Sequence, residues 1–300
     1  MSKKPLVSPH LKEKTTVFSV VLFIVLMIYF VVLAALLAWA IYTSFNDKTA
    51  YRAFYSSGGA FPTKLTLDNF VNAFTKFKIT STTSGLRYNF LEMAGHSLIY
   101  TLGCSLAYTF TPCFVAYCAA RFKFKFSKVI YAFVIITMAL PIVGAMPSEL
   151  RMIKTLGIFD SFIGMFILRM NFLSINFLIF YAQFQMIPMT YSEAAKVDGA
   201  SNFRIMMTII FPQAFPTMVT LFLLSFMSFW NDYQIPRLYL PSYPTVSEGL
   251  FYLYSTGEKA VNNAPTKLAA FIGLTLPIIL IFGILNKKLR LNVAAGGIKG

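Results

Sequence analysis

Six long apolar stretches, at residues 17–43, 93–120, 129–148, 161–187, 205–229 and 268–286, carry few or no charged side chains. Each approaches or exceeds the roughly 20 residues that a helix needs to cross the hydrocarbon core of a bilayer. Their hydrophobicity is continuous and does not alternate, so they predict helices and not the strands of about ten residues that build a membrane barrel. The predicted fold is all-α, a polytopic membrane protein with six transmembrane helices.

Polar breaks divide the chain into a tail at 1–16, a first transmembrane helix at 17–43, an external loop at 44–92, a five-helix core at 93–286 and a second tail at 287–300, with a polar insert at 188–212 inside the core. In the external loop, Gly58-Gly59, Phe61-Pro62 and the run from Thr80 to Gly85 are turn signals, and little independent core is expected. Asp68-Asn69-Phe70 predicts the capped start of a short helix through Phe74, with Phe70, Val71, Phe74 and Phe77 on one side. Between Pro147 and Gly164, Leu150, Ile153, Leu156 and Phe159 predict an external amphipathic helix. Pro112, Pro141, Pro216 and Pro277 lie in or near spans, where neighbouring helices satisfy the carbonyls they free.

Composition agrees with a bilayer: 57% of residues are hydrophobic, 17% aromatic and only 12% charged. The net charge of +15 raises nucleic acid as a partner, but its distribution fits topology better. With both termini inside, segments 1–16, 121–128, 188–212 and 287–300 hold 14 Lys/Arg against three acids, whereas the longer outside segments hold eleven against eight. That is the positive-inside bias. The alternation Arg121-Phe122-Lys123-Phe124-Lys125-Phe126 then reads as a short inside loop with cations at the headgroups, and no nucleic acid is implied. Lys3, Lys4, Lys12 and Lys14 before the first span resemble a signal sequence. The span is too long for one and Ala38-Trp39-Ala40 is a weak cleavage mimic, so a retained anchor is expected. Cys104, Cys113 and Cys118 fall in one span and read as packing residues, with no metal site and no disulfide framework.

Catalytic chemistry is missing. No phosphate-cradling GxxxxGK[ST] loop and no HExxH occurs, His10 and His96 are far apart in sequence, and no acid lies inside a span. An enzyme is not expected.

The insert carries the functional signal. Residues 191–198 predict a short helix capped by Ser192 with Glu193 in its first turn, and Gly199 breaks it. Asn202 is placed to cap a second, apolar helix, and Pro212 disfavours helical backbone at the residue before it. Such a bracket is either a lever or only a connection between spans. Its residues resemble the EAA loop of ABC importer permeases, whose spacing is Glu-Ala-Ala, three residues, Gly, nine residues, Ile, one residue, Leu-Pro. Here stand Glu193-Ala194-Ala195, Gly199, Ile209 and Phe211-Pro212, with Phe211 in place of the usual leucine. Leu156 to Ser161, Trp230-Asn231-Asp232 and the ending from Gly296 to Gly300 are similar to carbohydrate importer permeases of the maltose-transporter type.

The resemblance implies a type I ABC importer permease fold with both termini inside, in a bacterial cytoplasmic membrane crossed several times. It also implies a second, homologous permease as heterodimer partner, two cytoplasmic ATPases that hold ATP and magnesium, and an extracytoplasmic solute-binding protein. This chain binds no cofactor itself in that scheme. Glu193, Ala194, Ala195, Asp198, Gly199, Ile209 and Pro212 are the expected ATPase-coupling residues. Physically, a short rigid helix joined to two spans is a suitable lever for ATP-driven closure.

For the cargo, sugar recognition combines aromatic faces with hydrogen-bonding groups. Arg169 is the one charged side chain inside a predicted span, followed by Asn171, Ser174 and Asn176. It either meets an anionic group such as a uronate or snorkels to the headgroups. Phe226, Phe229, Trp230, Asn231, Asp232 and Tyr233 cluster at the outer end of the fifth span, as interface anchors or as a cargo path, and the loop 236–266 is the candidate contact for a binding protein. Gln183 and Gln185 fit either a path or a bond between helices. Three functions remain in view: a permease for an oligosaccharide or related sugar, the same machine for a polyol phosphate or other solute, and a membrane scaffold that recruits a non-ATPase partner.

Overall fold

The computed structural model describes residues 17–58, 64–81, 83–122, 124, 126–140, 144–255 and 263–296. The expectations for the lysines of the tail 1–16, His10, Gly59, Phe61-Pro62, Lys123, Lys125, Pro141, the loop tip 256–262 and residues 297–300 lie outside them.

The first helix, α1 (Val17–Ser44), is apolar all round, buries only Thr43 and Ser44, and lies along the last helix of the chain. A short helix α2 (Lys48–Ser57), a second one α3 (Asp68–Thr75) and an antiparallel hairpin of β1 (Lys78–Thr80) and β2 (Arg87–Asn89) follow. The 32-residue α4 (Phe90–Arg121) opens on a capping box in which Asn89 and Glu92 each accept the other's backbone N–H. Next come α5 (Ser127–Ala139), α6 (Ala145–Thr155), α7 (Phe162–Arg169), α8 (Ile175–Met186) and α9 (Thr190–Val197). Then α10 (Asn202–Ile205) passes through a π-helical turn (Met206–Ile210) into α11 (Phe211–Asn231), and α12 (Gln234–Tyr239), α13 (Val246–Ser255) and α14 (Ala264–Gly296) complete the order.

Among the described residues four helical runs are long and apolar enough to cross a membrane: Val17–Ser44, Phe90–Arg121, Asn202–Asn231 and Ala264–Ile284. Two expected spans differ. The stretch at 129–148 ends its helix at Ala139, because Leu140 precedes a proline and takes extended backbone at φ −83°, ψ 121°. The 13 residues of α5 reach only about 20 Å, and the chain restarts as α6. The stretch at 161–187 breaks between α7 and α8, where Asn171 Oδ1 accepts the Leu173 N–H at 2.8 Å and Ser174 is extended at φ −148°. These short polar side chains and the local backbone compete with the helix for hydrogen bonds. In the last stretch, α14 continues past 286 into the expected tail.

The described residues of the segment 44–92 are tied to the body of the protein. Asn69 caps nothing. Leu67 holds the N-cap position of α3, and the Asn69 amide donates to the carbonyls of Ser44 (2.9 Å) and Asn46 (2.8 Å) while accepting the Thr266 hydroxyl at 3.2 Å. Three helices are thereby pinned together at one corner. Ala73, Phe77, Ile79, Phe90, Trp230 and Leu250 share one buried cluster with α14. A second cluster surrounds Tyr100, Cys104, Met165 and Tyr239, and a third, at the other end of α4, gathers Tyr117, Phe180, Phe184, Ile210 and Phe211. As α4 packs along both α8 and α11, it is the central rod.

Candidate functional site

The bracket between α8 and α11 stands at the Arg121 end of α4. Within α9, Glu193, Ala194, Lys196 and Val197 are all exposed, and so are Asp198 and Gly199 beyond its end. Ser192, Ala195 and Ala200 are half-buried, the two alanines against the aromatic cluster. The spacing of the motif has a geometric reason at the end of α9. The Gly199 N–H donates to the Lys196 carbonyl (3.0 Å) and the Ala200 N–H to the Ala195 carbonyl (2.9 Å), the two crossed bonds of a Schellman cap. That cap demands left-handed backbone at the residue after Asp198, and Gly199 has φ +75°. A glycine four residues after an inward-facing alanine is what this turn requires.

Two details differ from the sequence reading. Ser192 lies inside α9, whose N-cap position is Met189, and its hydroxyl accepts a hydrogen bond from Arg121. The second arm is capped by Ser201, whose Oγ accepts the Arg204 N–H at 3.3 Å, so Asn202 is already helical.

Pro212 does not stop the second arm, and Phe211 keeps helical backbone at φ −62°, ψ −40°. The π turn explains this, since the Phe211 N–H bonds the Met206 carbonyl five residues back. The widened turn relieves the clash between a proline ring and the carbonyl four residues earlier. Ile209, the motif's isoleucine, lies in that turn and packs against the aromatic cluster. Phe211 is accommodated rather than strained. Its ring stacks with Phe184 at 6.2 Å and meets the edges or faces of Phe114 and Tyr117 at 5.8 and 5.9 Å.

Arg121 is the residue that sequence reading assigned to lipid headgroups. It is 8% exposed. Nη1 donates to the Ile187 carbonyl at 2.6 Å and the Phe184 carbonyl at 3.4 Å, and Nη2 to the Ser192 Oγ at 2.7 Å and the Pro188 carbonyl at 3.4 Å. In sequence it is indistinguishable from its cationic neighbours, and only the fold brings it under the bracket.

The second group of candidate residues gathers near the outer half of α4, if the bracket is inside. Arg169 ends α7 with its guanidinium 5.5 Å from the centre of the Phe229 ring, and its buried Nε has no hydrogen-bond partner. Tyr100 and Tyr108 meet Phe229 edge-on at 6.0 and 5.9 Å, and the Tyr100 hydroxyl reaches Asp232 Oδ2 at 3.5 Å. The remaining candidates have internal contacts. Trp230 is 2% exposed, and its indole N–H donates to the Leu274 carbonyl at 2.8 Å. Asn231 donates to the Met227 carbonyl at 2.8 Å, Asn171 turns the chain between α7 and α8, and Tyr233 stacks on Phe251 at 4.6 Å. Asp232 Oδ1 accepts the N–H groups of Gln234 and Ile235 at 3.0 and 3.1 Å, starting α12.

Tyr239 and Glu248, outside the spans, are also perturbed. Tyr239 donates to Glu149 at 2.9 Å, and burial together with that carboxylate pushes its hydroxyl up to about 12. Glu248, 6% exposed, has a buried oxygen with no partner, and burial pushes its carboxyl up to about 7 against the opposing pull of Arg237.

Comparison with known proteins adds three findings. The family described as binding-protein-dependent transport system inner membrane component matches residues 113–293. The chain is 29% identical over 243 residues to the probable starch degradation products transport system permease protein AmyC of Thermoanaerobacterium thermosulfurigenes, covering 79% of this chain and 82% of that one. It is 28% identical over 250 residues to the melibiose/raffinose/stachyose import permease protein MelC of Bacillus subtilis, covering 82% and 86%. In structure it is similar to a chain of a bacterial ABC transporter involved in the import of the acidic polysaccharide alginate, with a TM-score of 0.72 at 18% identity over 95% of this chain and 99% of that chain.

Proposed function

The chain belongs to the family of inner membrane components of binding-protein-dependent transport systems, and on that premise we propose that it is the permease subunit of an ATP-driven ABC importer for a sugar or oligosaccharide. The carbohydrates named for AmyC and MelC support that cargo class. The chain makes and breaks no bond of the cargo. ATP and magnesium act on two partner ATPases, a homologous permease completes a heterodimer, and an external binding protein delivers the solute.

In this reading the bracket is cytoplasmic, both termini are inside, and the chain crosses a bacterial cytoplasmic membrane six times, with α5 and the broken pair α7 and α8 supplying the third and fourth crossings. The segment boundaries follow: tails at 1–16 and 287–300, a first crossing at 17–43, an external part at 44–92 and a core at 93–286. The observation that carries the reading is the exposed ridge of α9, closed by a Schellman cap and backed by an aromatic cluster. Glu193, Ala194 and Asp198 face the ATPase, whereas Ala195, Gly199, Ile209 and Pro212 hold the ridge in place. Tyr191, Val197 and Phe203, at 52%, 88% and 67% exposure, add apolar contact area beside the two acids.

The test is co-purification of the ATPase and solute uptake with Glu193→Lys and Gly199→Asp. Both are expected to weaken association and uptake. Normal association and uptake in both variants would refute the coupling role.

The cargo path is proposed at Arg169 and Phe229, with Asn171, Trp230, Asn231, Asp232 and Tyr233 supporting its walls. An unpartnered guanidinium nitrogen favours a sugar that bears a carboxylate. Arg169→Ala is expected to lose uptake of uronate oligosaccharides and keep that of neutral ones, and equal uptake of both would remove Arg169 from the path.

A further inference from the structure

We infer that Arg121 is a positioning residue that ties the coupling helix α9 to the central rod α4, so that a push on α9 is delivered to α4 as well as to α8 and α11. The inference rests on the transport reading above and adds to it a route for the movement.

The chain itself joins α9 to two helices only. Ile187 and Pro188 lead back to α8, and the Gly199 turn leads on to α10 and α11. Both joints are bends. No covalent connection reaches α4, although α4 packs against α8 and α11 along its length. Arg121 closes that gap from the last residue of α4. One guanidinium plane holds, on Nη1, the carbonyls of Phe184 and Ile187 and, on Nη2, the Pro188 carbonyl and the Ser192 hydroxyl within α9, so that it bridges the end of α8 and the coupling helix. Carbonyls left over at a helix C-terminus favour a cation, and a planar fork of donors meets several of them at once.

The opposite part of α4 touches the segment that follows α11. Ser97 Oγ accepts the Val246 N–H at 2.8 Å, His96 Nδ1 lies 3.1 Å from the Pro244 carbonyl, and Tyr100 reaches Asp232. A helix of 32 residues is about 48 Å long, enough to span the bilayer. With Arg121 in place, α4 is a strut that links the bracket to the walls of the proposed cargo path.

The experiment uses the assembled importer, permease pair, ATPases and binding protein, reconstituted with Arg121→Ala, Arg121→Lys or Ser192→Ala. ATP hydrolysis and sugar uptake are measured on the same vesicles, and hydrogen exchange is followed over residues 190–198. Arg121→Ala is expected to retain bound ATPases and hydrolysis while lowering sugar imported per ATP about tenfold, the scale of losing one charge-assisted hydrogen bond network. Exchange over α9 should rise about as much. Lysine should recover part of both, because it supplies charge without the fork. Ser192→Ala, which leaves the α8 carbonyls held, should lower the yield per ATP severalfold. It also carries the test if Arg121→Ala fails to fold.

Wild-type yield per ATP in Arg121→Ala would overturn the inference. So would the same loss in Leu253→Ala, a core truncation in the separate cluster around Trp230 and α14, since general loosening would then explain the result. Failure of the transport reading looks different: the wild-type chain would hold no ATPase, and Glu193→Lys would change nothing.

Discussion

Replacing Gly199 separates backbone conformation from side-chain size. At φ +75°, any residue with a Cβ meets its own carbonyl, at a cost of about 1–2 kcal/mol. A Cβ built there has no atom within 4 Å, so size adds nothing to that cost. The penalty converts to a loss of roughly 5–30-fold in the population that keeps the turn. Gly199→Ala, Gly199→Ser and Gly199→Lys should therefore lower sugar uptake by the same factor, Gly199→Asn by less, and Gly199→Val by more, following the tolerance of each residue for left-handed backbone. Hydrogen exchange at the Ala200 amide, which closes the Schellman cap, should follow the same order. Losses that scale with side-chain volume, or an asparagine as damaging as alanine, would refute the reasoning and point to a close partner surface at that position.

Glycine at 164 should behave in the opposite manner. A Cβ there would lie 2.0 Å from the Ile158 carbonyl oxygen, so Gly164→Ala is expected to destabilise the detergent-solubilised protein by about 1–3 kcal/mol or more in thermal unfolding, and an unchanged midpoint would contradict the packing. Trp230→Phe keeps an aromatic ring beside Phe226 but gives up the indole hydrogen bond to the Leu274 carbonyl, predicting a loss of about 1 kcal/mol in stability with no change in cargo affinity; a shifted KM at normal stability would return Trp230 to the path. Glu248 makes stability depend on pH. Its folded value of about 7 lies above the ordinary 4.5, so the folded chain keeps a proton that the unfolded chain has already released. The contribution is complete below the ordinary value and is lost as pH rises through about 7, a fall on the order of 3 kcal/mol that Glu248→Gln should abolish in unfolding measured across that window.

The long apolar runs were legible because length and composition alone decide them, and α1, α4, the continuous run from α10 through α11, and α14 contain four of the six stretches. The bracket was legible because its residue types are tied to backbone demands: a glycine for left-handed backbone, a small alanine for an inward face. What stayed hidden depends on contacts distant in sequence. Apolar composition is the same for an intact helix and for α7 and α8 with a break between them, so only the Asn171 turn reveals the interruption. Arg121 reads as one cation in an alternating run until the end of α8 is brought beneath it. Trp230 and Asp232 looked like one aromatic and polar cluster at a membrane surface. The fold sends Trp230 to α14 and Asp232 to the start of α12, and leaves Phe229 facing Arg169. The hairpin at 78–89 escaped notice because strands of three residues carry too little periodicity.

The π turn ahead of Pro212 gives the motif's spacing a second meaning. A π turn is an α-helix with one residue added, and each residue of an α-helix advances the azimuth by about 100°. From Asn202 to Asn231 the backbone is one continuous shaft, so the bearing of α9 relative to Phe211 and all that follows is fixed by how many residues lie in Met206–Ile210. Deleting one of them would restore regular helix and leave the composition almost untouched. It would also rotate the bracket by more than a quarter turn about the shaft and carry Phe211 off the ring of Phe184. The interval from glutamate to proline is thus a compass setting as much as a length.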